Sequence, residues 1–249
     1  MTDGTAGPDA AEGLPEAFFV IHDDLPREGP GEPDDVHWAH AVAGWPEDAM
    51  ICDAGCGPGA DIPALLATAP DGQVIAVDAH APFAERVQAD HGGDRVAAFV
   101  GDLRQIGGPF DVIWSAGAVY NVGLDAALAA WRDALADEGV VAMTHPVFFT
   151  DLPTDGARAF WGEYEPLTEA AFARAVADLG WEILDARRLT DAAWEAYYGP
   201  LEDRVAFLRT LEDPDDALNE QLDRHEAEIA GWREHRHETG YVLAVLRPL

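Results

Sequence analysis

An apolar run that starts at Met50 ends in Asp53, and three alternating glycines, Gly55, Gly57 and Gly59, follow before the helix-compatible stretch Ile62-Pro63-Ala64-Leu65-Leu66-Ala67. Such a pattern constrains the chain to a strand, a tight turn and a helix. Glycines serve the turn because it uses backbone angles that a Cβ disfavours, and because a ligand can then approach bare main chain. The spacing is G-x-G-x-G and departs from the G-x-G-x-x-G dinucleotide fingerprint, whose helix N-terminus faces a pyrophosphate. A carboxylate at Asp53, two residues ahead of the turn, repels phosphate and suits an ammonium.

Apolar segments continue to alternate with helical ones. Strand patterns over 73–77, 95–100, 110–114 and 139–143 end near Asp78, Asp102, Ser115 and His145, with helical patterns over 83–90 and 124–136. A helix over 167–180, a sixth strand from Trp181 to Leu189 and a seventh from Gly240 to Leu246 follow. Strands joined by helices imply a doubly wound, mostly parallel α/β sheet of seven strands. About fifty residues of helical pattern, 190–239, are inserted before the last strand, starting from Asp213-Pro214-Asp215-Asp216 with Asp213 as cap and Pro214 at N1. They form either a lid or an oligomer face such as that of a homodimer. Asp34 is the expected cap of a short helix carrying Val36 and Trp38. Residues 1–16, rich in Gly, Ala, Pro and acids, read as a disordered acidic tail ahead of a single domain over 17–249.

Composition removes several functions. The chain of 249 residues has a net charge of −32, and all 15 of its basic residues are arginines. Lysine Schiff bases and a phosphate-loop lysine are thereby excluded, and no basic cluster is present to neutralise a nucleic-acid backbone. No apolar run reaches the roughly 18 residues of a membrane span. Two cysteines, Cys52 and Cys56, cannot build a four-ligand zinc site, and no metal signature accompanies the histidines. The expectation is a cytoplasmic protein, its thiols reduced, that uses neither metal, membrane nor nucleic acid.

In open parallel sheets ligands bind beyond the carboxyl ends of the strands, which puts Asp53, Asp78, Asp102 and Ser115 on one rim. The segment Asp53-Ala54-Gly55-Cys56-Gly57-Pro58-Gly59 resembles motif I of the class I, Rossmann-like S-adenosylmethionine-dependent methyltransferases. Gly29-Pro30-Gly31-Glu32-Pro33 and the stretch from Trp114 to Gly123 are similar to a small-molecule, ubiquinone-biosynthesis-like branch of that family. The resemblance implies that Gly55, Cys56 and Gly57 carry the methionine end of S-adenosylmethionine and that Asp53 holds its ammonium. It implies further that Asp78 binds the ribose, that Ala79, His80, Asp102 and Leu103 frame the adenine, and that Ser115 and Ala116 line the floor. The pattern departs from the family at Ala116, where an acidic residue is expected. A small-molecule acceptor is implied, and a nicotinamide-dependent oxidoreductase and a non-catalytic S-adenosylmethionine binder remain as alternatives.

For proton transfer, His145 is the candidate base at the end of the fifth strand, set against a buried histidine bonded to a carbonyl. Tyr120 is a second candidate, more suited to shaping the pocket. Trp161, Tyr164, Trp194, Tyr197 and Tyr198 are either core or an aromatic wall for an apolar or cationic acceptor.

Overall fold

Asp53 stands one residue from the end of β1 (Met50–Ala54), an inner strand of the sheet, and the chain turns from there into α3 (Ile62–Thr68). The computed structural model describes residues 16–211 and 215–249. Ahead of β1 come α1 (Glu16–His22) and α2 (Pro33–Ala43). After α3 follow β2 (Gln73–Asp78), α4 (Ala81–His91), β3 (Val96–Val100), β4 (Phe110–Ser115), α5 (Val119–Val122), α6 (Leu124–Arg132) and β5 (Leu135–Phe148). The chain continues through α7 (Asp155–Phe160), β6 (Leu167–Thr168), α8 (Glu169–Asp178) and β7 (Trp181–Arg188). It closes with α9 (Asp191–Leu208), α10 (Asp216–His235) and β8 (Thr239–Pro248).

The strand order is β3-β2-β1-β4-β5-β8-β7, with the two-residue β6 beside β5. Only β8 runs antiparallel to its neighbours. The order reverses between β1 and β4, which opens the crevice that open parallel sheets use for ligands. Successive residues of a strand point to opposite faces. Ile51, Val112 and Trp114 therefore pack on one side, under α2, α3 and the inserted helices, while Cys52, Ile113 and Met143 pack on the other against α6 and α8. An apolar strand buried on both faces is what a central parallel strand requires.

The helical insertion consists of α9 and α10. Arg233 of α10 reaches Glu195 and Glu202 of α9, and the rings of Trp194 and Trp232 stack with centroids 5.2 Å apart. Thr190 caps α9, accepting from Ala193 N at 3.0 Å, and its hydroxyl donates to Glu32 in the N-terminal segment at 2.6 Å.

Several expected boundaries move. The sheet has eight strands because Leu167 and Thr168 pair with the end of β5. The helix expected over 124–136 stops at Arg132, since Ala134 turns back to Trp131 and Leu135 already pairs with Phe110. The box that caps α2 is built by Glu32 and Asp35 rather than Asp34, Glu32 N donating to Asp35 at 2.9 Å. Asp215 caps α10, accepting from Leu218 N at 2.7 Å, while Asp213 and Pro214 lie outside the described residues. Of the acidic tail expected over 1–16, residues 1–15 also lie outside them, and Glu16 instead begins α1. No helix among the described residues is long and apolar enough to cross a membrane.

Thr190→Ala should lower unfolding stability by about 1 kcal/mol, the usual worth of a threonine cap. Chemical denaturation followed by circular dichroism measures it, and an unchanged midpoint would remove the cap from the forces that seat the insertion.

Candidate active site

The glycine turn is fixed from both sides. Gly55 N and Cys56 N donate to the Val77 carbonyl at 2.8 and 3.1 Å, tying the turn to β2. Gly55 has φ +82°, and a Cβ there would stand 2.4 Å from the Ala118 Cβ. Gly57, at φ +51°, donates its N–H to the Asp78 carboxylate at 2.8 Å, and the other oxygen of Asp78 accepts from His80 N at the same distance. Asp78 thus welds the turn after β1 to the turn after β2. Burial raises its pKa, and the two backbone N–H groups oppose the rise. A carboxylate offers about four lone-pair sites, so the side chain retains capacity for hydroxyl donors.

Asp53 is 2 % exposed, and its Oδ2 is buried without a hydrogen-bond partner. Burial, then the negative charges of Asp61 and Asp78, push its pKa well above the usual range, while the nearby Arg27 pulls the other way. Arg27 donates to Asp61 at 3.2 Å and to the Gly29 carbonyl at 2.6 Å; Trp114 donates to the other oxygen of Asp61 at 2.9 Å. The N-terminal segment thereby closes over the rim. Further along, the rings of Phe19 and His80 stack with centroids 4.6 Å apart, and Phe83 meets His80 edge-on at 4.7 Å. Asp53, the glycine turn, Asp78, Ala79, His80, Ala116 and these rings line one cavity of about 360 Å³.

A second cavity, of about 200 Å³, adjoins it behind Glu28, Tyr120 and Tyr197, which line both. It gathers all five aromatics singled out from the sequence: Trp161, Tyr164, Trp194, Tyr197 and Tyr198. The last three share a face of α9 at helical spacing. Glu228 of α10 closes this cavity and accepts from the Tyr198 hydroxyl at 2.9 Å; burial raises its pKa. Tyr120 is hydrogen-bonded to Tyr241, and burial raises its own pKa. A buried chain runs from Glu28 through His22 to His225, at 2.5 and 2.9 Å, and His225 donates to the Gln221 carbonyl. It joins α1 to α10 across the mouth of the site.

Other sequence candidates lie elsewhere. The Asp102 carboxylate is taken up by Arg104, whose Nε approaches its two oxygens at 2.9 and 3.0 Å and whose charge lowers the Asp102 pKa. Neither Asp102 nor Leu103 lines the two cavities; the Leu103 carbonyl accepts from Trp131 at 2.7 Å. Ser115 is fully buried and spends its hydroxyl on the Ala54 carbonyl at 2.7 Å, stitching β4 to β1. His145 turns away from the rim toward Phe172 of α8, centroids 5.1 Å apart, and bonds the Pro146 carbonyl through Nδ1 at 2.9 Å. Burial lowers its pKa to about 4, and its Nε2 lies 3.5 Å from the hydroxyl of Tyr164, which stands between it and the cavity. Tyr164 thus separates His145, the expected base, from the aromatic cavity.

The sequence reading missed Arg27, Glu28, Phe19, Phe83, Glu228 and Tyr241. Glu228 had a signal: it stands three residues after His225 and four before Trp232, along the side of α10 that buries Leu222, His225, Ile229 and Trp232. Arg27 and Glu28 sit in a loop without periodicity and had none.

A glycine turn beside a buried acid, set where a parallel sheet with one antiparallel strand reverses its order, defines the class I, Rossmann-like methyltransferase fold. Residues 51–139 match the family model described as a methyltransferase domain. The fold is thus that of the class I methyltransferases, and the match to the methyltransferase domain covers its part from β1 into β5. No curated protein matches the sequence. Among solved structures, a SAM-dependent methyltransferase from Geobacter sulfurreducens, crystallised with S-adenosyl-L-homocysteine, is 17% identical with a TM-score of 0.80, covering 95% of this chain and 99% of its own. The cyclopropane synthase MmaA2 from Mycobacterium tuberculosis is 17% identical with a TM-score of 0.75, covering 96% of each chain. The [4+2]-cyclase SpnF is 15% identical with a TM-score of 0.70, covering 93% of this chain and 92% of its own.

A carboxyl whose folded pKa is raised binds protons more tightly than in the unfolded chain, so its contribution to stability is greatest in acid and is lost as pH rises. Asp53→Asn should therefore raise the melting temperature near neutral pH by roughly 2–4 °C for each kcal/mol of relieved desolvation, with the gain shrinking as pH is lowered toward 4. Calorimetric melts across that range would show it; a gain independent of pH would mean that Asp53 is not held in a strained ionised state.

Proposed function

We propose that the chain is an S-adenosylmethionine-dependent methyltransferase acting on a small-molecule acceptor in the cytosol. The observation that carries this reading is the bare glycine turn flanked by an unpartnered buried acid and by Asp78. Asp53 Oδ2 lacks a donor that an amino group would supply, and Arg27 lies close by to face a carboxylate. Asp78 keeps lone pairs for ribose hydroxyls, and Phe19, His80 and Phe83 offer faces to a purine. S-adenosylmethionine, when bound, supplies an electrophilic methyl carbon on a sulfonium.

The chain's own contribution is position and dryness. The aromatic cavity adjoins the first one through shared walls, so an acceptor held there is ordered next to the donor cavity with water excluded. Proximity and orientation of this kind supply roughly 7–11 kcal/mol of a barrier. A nicotinamide dinucleotide suits the first cavity poorly, because Asp53 and Asp61 would repel its pyrophosphate. The buried, protonated thiols of Cys52 and Cys56 are in keeping with a reducing compartment.

Isothermal calorimetry should show S-adenosylmethionine and S-adenosylhomocysteine binding and NAD failing to bind; the opposite ranking would reassign the enzyme. Asp78→Ala should weaken binding by about 1.5–3 kcal/mol, the worth of hydrogen bonds to a charged group. Affinity equal to that of the parent chain would take Asp78 out of the ribose site.

A further inference from the structure

The aromatic cavity carries negative charge and no positive charge. Glu28 and Glu228 line it, and among the described residues neither an arginine nor a histidine does. Its other walls are chiefly aromatic side chains, those of Trp161, Tyr164, Trp194 and Tyr197 among them. An anionic acceptor would meet two carboxylates in a dry site, where repulsion is weakly screened. A cation gains on both counts, from ring faces that attract positive charge and from a carboxylate as counter-charge. Glu28 Oε1 is buried and has no hydrogen-bond partner, an acceptor open to an N–H donor. The net charge of −32 biases the surrounding field the same way.

We infer that the methyl acceptor is an amine, seated in the aromatic cavity with Glu228 as its counter-charge. The inference rests on the donor reading given above. An acceptor that arrives protonated gives that proton to the Glu228 carboxylate, which becomes a neutral carboxyl group. Burial lifts the Glu228 pKa above that of an ordinary carboxylate, which makes it the better proton acceptor. The freed nitrogen lone pair then forms the N–C bond to the methyl group while the C–S bond breaks with its electron pair left on sulfur. Positive charge passes from sulfur to nitrogen, and the aromatic walls still face a cation. A tertiary amine that arrives protonated likewise gives its one N–H proton to Glu228 before transfer and yields a quaternary ammonium ion.

Choline chloride and 3,3-dimethylbutan-1-ol, its neutral isostere with carbon in place of nitrogen, test this on the full ligand-free chain at constant ionic strength. Titrations followed by tryptophan fluorescence, which Trp161 and Trp194 report, should show the cation binding at least about tenfold tighter. Glu228→Gln keeps an acceptor for Tyr198 and should abolish that preference, with the neutral isostere binding as before. Trp161→Leu, on a different element, should weaken choline several-fold, which guards against misreading a folding defect in the first variant. Equal affinity for the two probes would overturn the inference, as would a product screen in which phenols or carboxylic acids are methylated and amines are not. Absence of S-adenosylmethionine binding would instead overturn the donor reading, while the choline preference could still be read.

Discussion

The Asp78 carboxylate is the contact on which the site depends. One oxygen holds the Gly57 N–H and the other the His80 N–H, so a single side chain sets the separation of the turns after β1 and β2. Without it the glycine loop would be tied to β2 only through the Val77 carbonyl. Loops at a sheet edge are usually the mobile part of an α/β protein. Here two of them are locked to one another by charge-assisted hydrogen bonds, which are stronger than neutral ones.

That lock is set among like charges. Asp53, Asp61 and Asp78 crowd one rim, and Arg27 pairs with Asp61 and offsets the charge on Asp53. The arrangement leaves Asp53 buried and partly unsatisfied, which costs stability in the ligand-free chain. Functional sites commonly keep such strain, since the group that is uncomfortable alone is the one a ligand relieves. The same logic separates Asp102, which looks similar in the sequence but is already neutralised by Arg104.

What could be read from the sequence was whatever is local. The strand, turn and helix around Gly55 follow from a dozen consecutive residues, and the placing of Asp78 follows from the end of an apolar run. Trp194, Tyr197 and Tyr198 share a face because of helical spacing alone. His145 was expected just beyond the fifth strand but lies within β5, where the pleat turns its side chain toward Phe172 of α8. Asp102 pairs with Arg104, two residues on, which the pattern of strand ends does not announce. His22 and His225 meet across 203 positions of sequence, and no periodic signal announces such a pairing. Boundaries such as the early end of α6 were set by tertiary hydrogen bonds that propensity does not contain.

The walls common to the two cavities have a thermodynamic consequence. Glu28, Tyr120 and Tyr197 touch whatever occupies either space, so filling one space fixes side chains that the other occupant must also meet. Their free energies of association are then linked, and linkage is symmetric: the factor by which the first guest alters the second's affinity is the factor returned. Order of arrival is a kinetic matter, but the balance between the singly and doubly loaded forms is governed by side chains, Glu228 with them, that belong to neither guest alone.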